Sequence, residues 1–120
     1  MKLQFIELNH AAIHVKNLEQ SDQFYGVVLE MHKLPRPAFN FRGSWFAIGK
    51  QQLHLIEDTD LIQSARDHHH FAIQVADIST LKNELMRKGI KNLREQKRPD
   101  GATQLFLKDP DGYVIEFYSV

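Results

Sequence analysis

The chain of 120 residues contains no cysteine. This absence excludes a disulfide scaffold, a cysteine-rich zinc site and a cysteine nucleophile. The chain also has no net charge, because fifteen Lys and Arg balance fifteen Asp and Glu. A neutral chain has no general electrostatic attraction to nucleic acid or to an anionic membrane surface, so we expect neither as a partner.

Long apolar runs are absent as well. No stretch of 18 or more apolar residues occurs, and the first residues carry no signal-peptide core, so we expect a cytoplasmic protein without membrane spans. Hydrophobic residues make up 42% and charged residues 25% of the chain, which is typical of a globular protein, and the length predicts one domain over residues 1–120. In a chain without cysteine, the seven His indicate that any metal site would be built from imidazole and carboxylate groups.

Two segments of the chain resemble each other at an offset of 60 residues. Residues 10–17 (HAAIHVKN) and 70–77 (HFAIQVAD) share His, Ala, Ile and Val at four of their first six positions. Each segment leads into a helical pattern, over residues 18–29 and 78–88. Ser79 or Asp77 is placed to begin the second helix and Gly89 to end it.

Each half then ends in a pattern of strand, turn and strand. The two patterns cover residues 45–56 and 104–118, and the second contains the turn Asp109-Pro110-Asp111-Gly112. One further strand in each half is weakly marked, with candidates at residues 31–34 and 90–94. The sequence therefore predicts an α+β fold of two tandem βαβββ modules. The internal repeats span residues 1–60 and 66–120, with the boundary in the polar stretch 57–68.

The alternation of side chains along the strands selects candidate metal ligands. One face of each module packs on its helix, and the other face carries His10 and His54 in the first module and His70 and Glu116 in the second. If the two sheets face each other across a cavity, three imidazoles and one carboxylate converge. This donor set suits Zn, Ni, Mn, Co or Fe(II) and does not select among them.

Other residues are candidates for secondary roles. We expect His68 and His69 to be solvated, since the repeat selects His70. An anionic substrate could be bound by arginine, although each arginine alone also fits a solvated surface position; the candidates are Arg36, Arg42, Arg94 and Arg98. The side chains that we expect to line the cavity are His14, Gln74, Trp45 and Tyr118.

The repeated modules, residues 8–25 and the segment 106–116 (FLKDPDGYVIE) resemble the vicinal oxygen chelate superfamily. That superfamily includes glyoxalase I, bleomycin- and fosfomycin-resistance proteins, methylmalonyl-CoA epimerase and extradiol dioxygenases. The resemblance implies a glyoxalase-like fold whose curved mixed sheets enclose a metal-binding cleft, with His10, His54, His70 and Glu116 as ligands. It further implies a homodimer with sites shared between subunits. The implied function is a metal-dependent lyase or isomerase that acts on a small oxygenated substrate, with Glu116 as the catalytic group.

The chain departs from glyoxalase I at three positions. Glyoxalase I typically has a carboxylate at the position of His54, and its basic and amide glutathione-binding residues fall on His14 and Asp58. These departures predict weak activity on a glutathione hemithioacetal. Residues 92–101 contain no Ser, which disfavours fosfomycin resistance.

Two alternative functions stay open. One is a small iron-dependent dioxygenase, although a fourth ligand at His54 would occupy a position needed for oxygen. The other is a protein of the bleomycin-resistance type that binds an antibiotic or another aromatic ligand by stacking. The aromatic side chains available for such binding are Trp45, Phe39, Phe41 and Tyr118.

Overall fold

The computed structural model describes residues 3–62 and 70–120, so that His68 and His69 lie outside the described residues. The first module consists of β1 (His10–Val15), α1 (Leu18–Asp22), a π-helical continuation (Gln23–Val28), β2 (Lys33–Leu34), β3 (Gly43–Ile48) and β4 (Gln51–Glu57). The second module consists of β5 (His70–Gln74), α2 (Ile78–Arg87), β6 (Arg94–Lys97), β7 (Thr103–Lys108) and β8 (Val114–Ser119).

The two modules have the same topology. Their sheets have the strand orders β1-β4-β3-β2 and β5-β8-β7-β6. In each sheet the first strand of the module runs parallel to the last, and the remaining neighbours are antiparallel. This arrangement confirms the predicted α+β fold of two tandem βαβββ modules, in which each sheet is mixed and neither closes into a barrel.

The weakly marked strands differ from their predicted positions. Of the predicted residues 31–34, only Lys33–Leu34 form β2. The prediction of a strand at residues 90–94 was wrong, because β6 begins only at Arg94. Ile90 and Leu93, which made this segment look like a strand, instead pack against the core from the connection that follows α2.

The helix ends agree with the capping signals. Of the two candidate N-caps of α2, Asp77 takes the role, since its side chain accepts a hydrogen bond from the backbone amide of Thr80. Gly89 follows the helix with φ of 86°, a left-handed conformation that glycine adopts without strain. The first helical pattern, predicted as one helix over residues 18–29, changes to π-helical geometry at Gln23.

One face of each sheet is covered by the helices and the other is open. Side chains from both modules form one apolar core on the covered side. Its fully buried members include Val15, Leu53, Leu55, Leu85, Leu105 and Ile115. Because strand side chains alternate, the residues between these core positions point to the open faces, and the candidate ligands are among them.

The modules contact each other through the turn between β7 and β8. The hydroxyl of Tyr25 donates to Oδ2 of Asp109 at 2.6 Å, and the backbone amide of Lys16 donates to Oδ1 of Asp111 at 3.1 Å. The Cα radius of gyration of 15.4 Å exceeds the roughly 14 Å of a compact domain of this length. In the described parts of the chain, neither α1 nor α2 combines the length and the apolar character that crossing a bilayer requires.

Candidate metal centre

The first pair of candidate ligands lies on the open face of the first sheet. His54 is on the central strand β4, and the imidazole of His10 on β1 stacks on it with a centroid separation of 4.1 Å and an interplanar angle of 17°. Trp45 on β3 stacks on His54 at the same separation and an angle of 2°. The strand register places Trp45 directly opposite His54. Partial burial, with His10 and Arg36 nearby, lowers the pKa of His54 below its ordinary value.

The second pair occupies the equivalent place in the second sheet. Nε2 of His70 lies 3.2 Å from Oε1 of Glu116. The Glu116 side chain is 7% exposed, whereas that of His70 is 43% exposed, so the pair is anchored in the sheet and accessible from its open face. The other carboxylate oxygen, Oε2, accepts a hydrogen bond of 3.1 Å from the amide of Gln104, which is buried on β7.

A single chain does not bring the two pairs together. Within residues 3–62 and 70–120, no three His, Asp or Glu side chains come close enough to hold one metal ion. The sheet registers nevertheless give the pairs matched positions, since Ala12 lies beside His54 and Ala72 beside Glu116. Each module therefore presents two of the four candidate ligands on its open face.

Apart from Trp45, which lies directly opposite His54, the structure places the expected cavity-lining residues farther along the same faces. Nδ1 of His14 lies 3.0 Å from Oδ2 of Asp58, so two of the departures from glyoxalase I form a pair with each other. His14 is four residues from His10 on β1, a distance of about 13 Å along a strand, and it lies beyond reach of the same metal ion. In the second module Tyr118 contacts Gln74 at 3.5 Å.

The aromatic residues of the first module pack on one another. Phe39 stacks on Phe41 with a centroid separation of 5.1 Å, and the guanidinium of Arg36 lies over both rings at 4.8 and 4.9 Å. Phe39 also contacts Trp45, whose indole covers His54. Phe39 and Phe41 remain exposed despite these contacts, and the Trp45 indole lies between Phe39 and His54.

Three cationic side chains surround a cleft beside His70. The cleft has a volume of about 740 Å³ and is lined by Lys91, Arg94 and Lys108 together with His70 and Phe106. Of the four arginines singled out from the sequence, only Arg94 lines this cleft. Arg42 instead pairs with Glu19 and Glu57, and Arg98 pairs with Asp100.

The sequence analysis did not identify three amide side chains that contact the candidate ligands. Oδ1 of Asn9 lies 2.8 Å from Nδ1 of His10, and Oε1 of Gln52 lies 2.8 Å from Nε2 of His54. Gln104 supports Glu116 as described above. Strand alternation places Gln52 on the same face as His54, so the contact between them could have been predicted from the sequence. The contact of Gln104 with Glu116 depends on the β7–β8 register, which the sequence does not determine.

Comparisons with known proteins agree with this architecture. Residues 7–117 match the Glyoxalase/Bleomycin resistance protein/Dioxygenase superfamily. The chain is 32% identical to a probable lactoylglutathione lyase of Synechocystis sp. over 91% of this chain and 92% of the relative. It is 29% identical to glyoxylase I 4 of Arabidopsis thaliana over 95% of this chain and 71% of the relative. A glyoxalase family protein from Bacillus anthracis has a crystal structure that superimposes with a TM-score of 0.87 at 27% identity, covering 99% of this chain and 98% of that one. With a family match over nearly its whole length, the same pair of modules and relatives of this similarity, the chain belongs to the Glyoxalase/Bleomycin resistance protein/Dioxygenase superfamily.

Proposed function

We propose that this protein is a metal-dependent, glyoxalase-like lyase or isomerase that acts on a small oxygenated substrate. The observation that carries the proposal is the matched placement of His10 with His54 and of His70 with Glu116 on the open faces of two equivalent sheets. A protein that only sequesters a ligand has no need for four such donors at corresponding positions.

The donor set fits a divalent metal. Three imidazoles and one carboxylate are ligands that Zn, Ni, Mn, Co and Fe(II) accept. Asn9, Gln52 and Gln104 add the amide contacts that commonly orient metal-binding side chains. The 3.2 Å between His70 Nε2 and Glu116 Oε1 brings two donor atoms side by side.

Assembly of the four ligands requires a second copy of the chain. We propose a homodimer in which the first module of one subunit faces the second module of its partner, which gives two sites per dimer. The open shape of the chain supports this arrangement. So does the segment before β1, which exposes large apolar side chains that a partner can cover: Leu3, Phe5, Ile6 and Leu8.

A bound metal would supply positive charge that polarises a substrate carbonyl and stabilises the negative charge developing on its oxygen. Glu116 is the single carboxylate among the four candidate ligands and acts as the group that moves the substrate proton. Gln104 donates to Oε2 of that carboxylate and His70 Nε2 lies beside Oε1, so contacts at both oxygens hold the carboxylate in place.

The charge of the site favours an anionic substrate. With His54 in place of a second carboxylate, a dication retains one unit of positive charge after Glu116 binds it. Lys91, Arg94 and Lys108 around the adjacent cleft add positive charge beside His70. We therefore propose a substrate that offers two neighbouring oxygens to the metal and carries an anionic group for the cleft.

Metal binding is the first test. Trp45 is the only tryptophan of the chain and stacks on His54, so its fluorescence should be quenched as Ni²⁺ or Co²⁺ is added to metal-free protein. His70→Ala and Glu116→Ala should weaken binding and lower the metal content after gentle purification. Exposed Lys50→Ala serves as a control that leaves both unchanged. Wild-type affinity in both His70→Ala and Glu116→Ala would contradict the assignment of the ligands.

The reaction is tested with a substrate panel in the presence of Zn, Ni, Mn, Co and Fe(II). The panel contains the methylglyoxal–glutathione hemithioacetal, a 2-methylacyl-CoA, catechols, and fosfomycin with a thiol. Metal-dependent turnover of a lyase or isomerase substrate supports the proposal, whereas turnover of catechols with Fe(II) would indicate a dioxygenase. Tight binding of an aromatic ligand that survives metal removal would instead indicate a sequestering protein.

A further inference from the structure

The cleft beside His70 concentrates positive charge. Lys91, Arg94 and Lys108 line it, and no Asp or Glu is among its described lining residues. Within the described parts of the chain, neither Lys91 nor Arg94 forms an ion pair with a carboxylate. Several basic side chains elsewhere do form such pairs, namely Lys33, Arg42, Lys82, Arg87, Lys88 and Arg98.

Contacts with neutral neighbours hold Arg94 in place. Its guanidinium lies over the ring of Phe106, 4.4 Å from the centroid. Nη1 donates to Oε1 of Gln96 at 2.9 Å. Neither partner is charged, so neither compensates the positive charge of Arg94. Among the residues that the structure describes, Arg94 donates only from Nη1, and its N–H groups on Nε and Nη2 are left to bind a ligand.

The strand register places Arg94 near the second pair of candidate ligands. Arg94 lies opposite Phe106 on β7, and Phe106 lies opposite Glu116 on β8. Two strand spacings, about 10 Å, therefore separate the backbones of Arg94 and Glu116. His70 lines the cleft itself. A short molecule can thus contact Arg94 at one end and the position between His70 and Glu116 at the other.

The charge and the geometry of the cleft favour phosphate over carboxylate. A carboxylate would compensate one of the three cationic side chains, whereas a phosphate monoester carries about two negative charges above pH 7. The three cations also come from different elements, since Lys91 follows α2, Arg94 begins β6 and Lys108 ends β7. Donors from several directions match the tetrahedral oxygens of phosphate, and the arginine fork binds two of these oxygens at once.

We propose that this cleft binds a phosphate group and that Arg94 selects for it, so that the substrate is a small phosphate monoester with two neighbouring oxygens for the metal. The inference rests on the proposed function and adds the chemical class of the substrate and a residue that determines specificity.

The chain offers a matched control arginine on the same sheet. Arg98 also lies over an aromatic ring, that of Tyr118 at 5.1 Å, but its charge is compensated by Asp100 at 2.8 and 2.7 Å. Arg94→Gln and Arg98→Gln make the same chemical change, and only the first removes an unpaired charge from the cleft. Arg94→Lys is the conservative variant, because it keeps the charge and loses the fork.

Phosphate binding is tested first on metal-free, full-length, ¹⁵N-labelled protein by NMR titration with inorganic phosphate above pH 7. The Nε–H signal of Arg94, identified by its loss in Arg94→Gln, should shift together with the backbone amide of Lys91, while that of Arg98 should not. Acetate should bind about tenfold more weakly or worse, and Arg94→Gln should weaken phosphate binding to a similar extent. Shifts centred on Arg98, equal affinities for phosphate and acetate, or unchanged affinity in Arg94→Gln would overturn the inference.

The second readout compares 3-phosphoglycerate with glycerate on Zn²⁺-loaded protein by calorimetry. Both offer neighbouring carboxylate and hydroxyl oxygens, and only the first carries a phosphate. The wild type and Arg98→Gln should prefer 3-phosphoglycerate by about tenfold or more, Arg94→Lys should keep part of this preference, and Arg94→Gln should lose most of it. Equal affinities in the wild type would overturn the inference. If the wild type binds no divalent metal, the proposed function fails, while the metal-free titration still decides whether Arg94 binds phosphate.

Discussion

The hydroxyl of Tyr25 donates a hydrogen bond of 2.6 Å to Oδ2 of Asp109 and so connects the π-helical segment of the first module to the β7–β8 turn of the second. Both residues are buried. Oδ1 of the same carboxylate accepts from the backbone amides of Asp111 and Tyr113. Asp109 therefore shapes the turn before Glu116 and anchors it to the other module at the same time.

Removal of the Tyr25 hydroxyl should destabilise the fold. Tyr25→Phe leaves Oδ2 of Asp109 buried without its donor, a loss of about 1–3 kcal/mol in the free energy of unfolding. Tyr118→Phe is the control, since Tyr118 is less buried and its contact with Gln74 is long at 3.5 Å. Urea denaturation measures both variants, and equal stabilities would show that the Tyr25–Asp109 bond contributes nothing.

Asp109 should also give stability a specific pH dependence. Burial raises the pKa of this carboxyl above its ordinary value, although hydrogen bonds from Tyr25 and from backbone amides act in the opposite direction. A raised pKa in the folded state contributes stability that is fully present below about pH 4, where the unfolded Asp is also protonated, and is lost as pH rises through the folded-state pKa.

The variant Asp109→Asn isolates this effect because the amide does not titrate. The difference in the free energy of unfolding, wild type minus Asp109→Asn, should decrease as pH rises from about 4 and then level off. Surface carboxylates titrate in both proteins and cancel in the difference. A difference that increases with pH would mean that Asp109 is ionised more easily in the folded state, contrary to its burial.

The fold could be predicted from the sequence because local sequence patterns mark most of its strands, helices and turns. The His-Ala-Ile-Val repeat, the helical periodicities and the Asp-Pro-Asp-Gly turn each mark one element, and their order defines the two modules. Strand β2 was predicted too long and β6 was predicted too early in the chain, because both strands are short and β6 has no buried side chain that would produce a pattern.

The candidate site was predictable only in part. Alternation within a strand placed His10, His54 and His70 on the open faces, as the structure has them. The stacking of Trp45 on His54 depends on the β3–β4 register. The contact between Tyr25 and Asp109 joins residues 84 positions apart. Long-range relations of this kind leave no periodic signal in one sequence.

Sites shared between subunits can be tested by complementation. His10→Ala disables the first module and His70→Ala the second, so every site in either homodimer lacks one ligand. In a heterodimer of the two variants, one shared site lacks both ligands and the other is intact. Coexpression with two different tags and tandem purification should therefore recover metal binding at one site per dimer. If each chain formed its own site, no recovery would occur.

The pair of His14 and Asp58 should limit activity on the glutathione hemithioacetal. Nδ1 of His14 is 3.0 Å from Oδ2 of Asp58, where the resembled glyoxalase I has a basic and an amide residue for glutathione. The negative charge of Asp58 repels a carboxylate of that substrate. We expect weak hemithioacetal turnover by the wild type. In the double variant His14→Arg/Asp58→Asn we expect a lower KM with kcat nearly unchanged, because these side chains bind substrate away from the reacting atoms.

Steady-state kinetics with Ni²⁺ or Zn²⁺ measures both constants, and Asp60→Asn, which changes an exposed carboxylate two residues away, is the control. Wild-type turnover near that of a dedicated glyoxalase, or a double variant with an unchanged KM, would show that His14 and Asp58 do not set the preference for substrate.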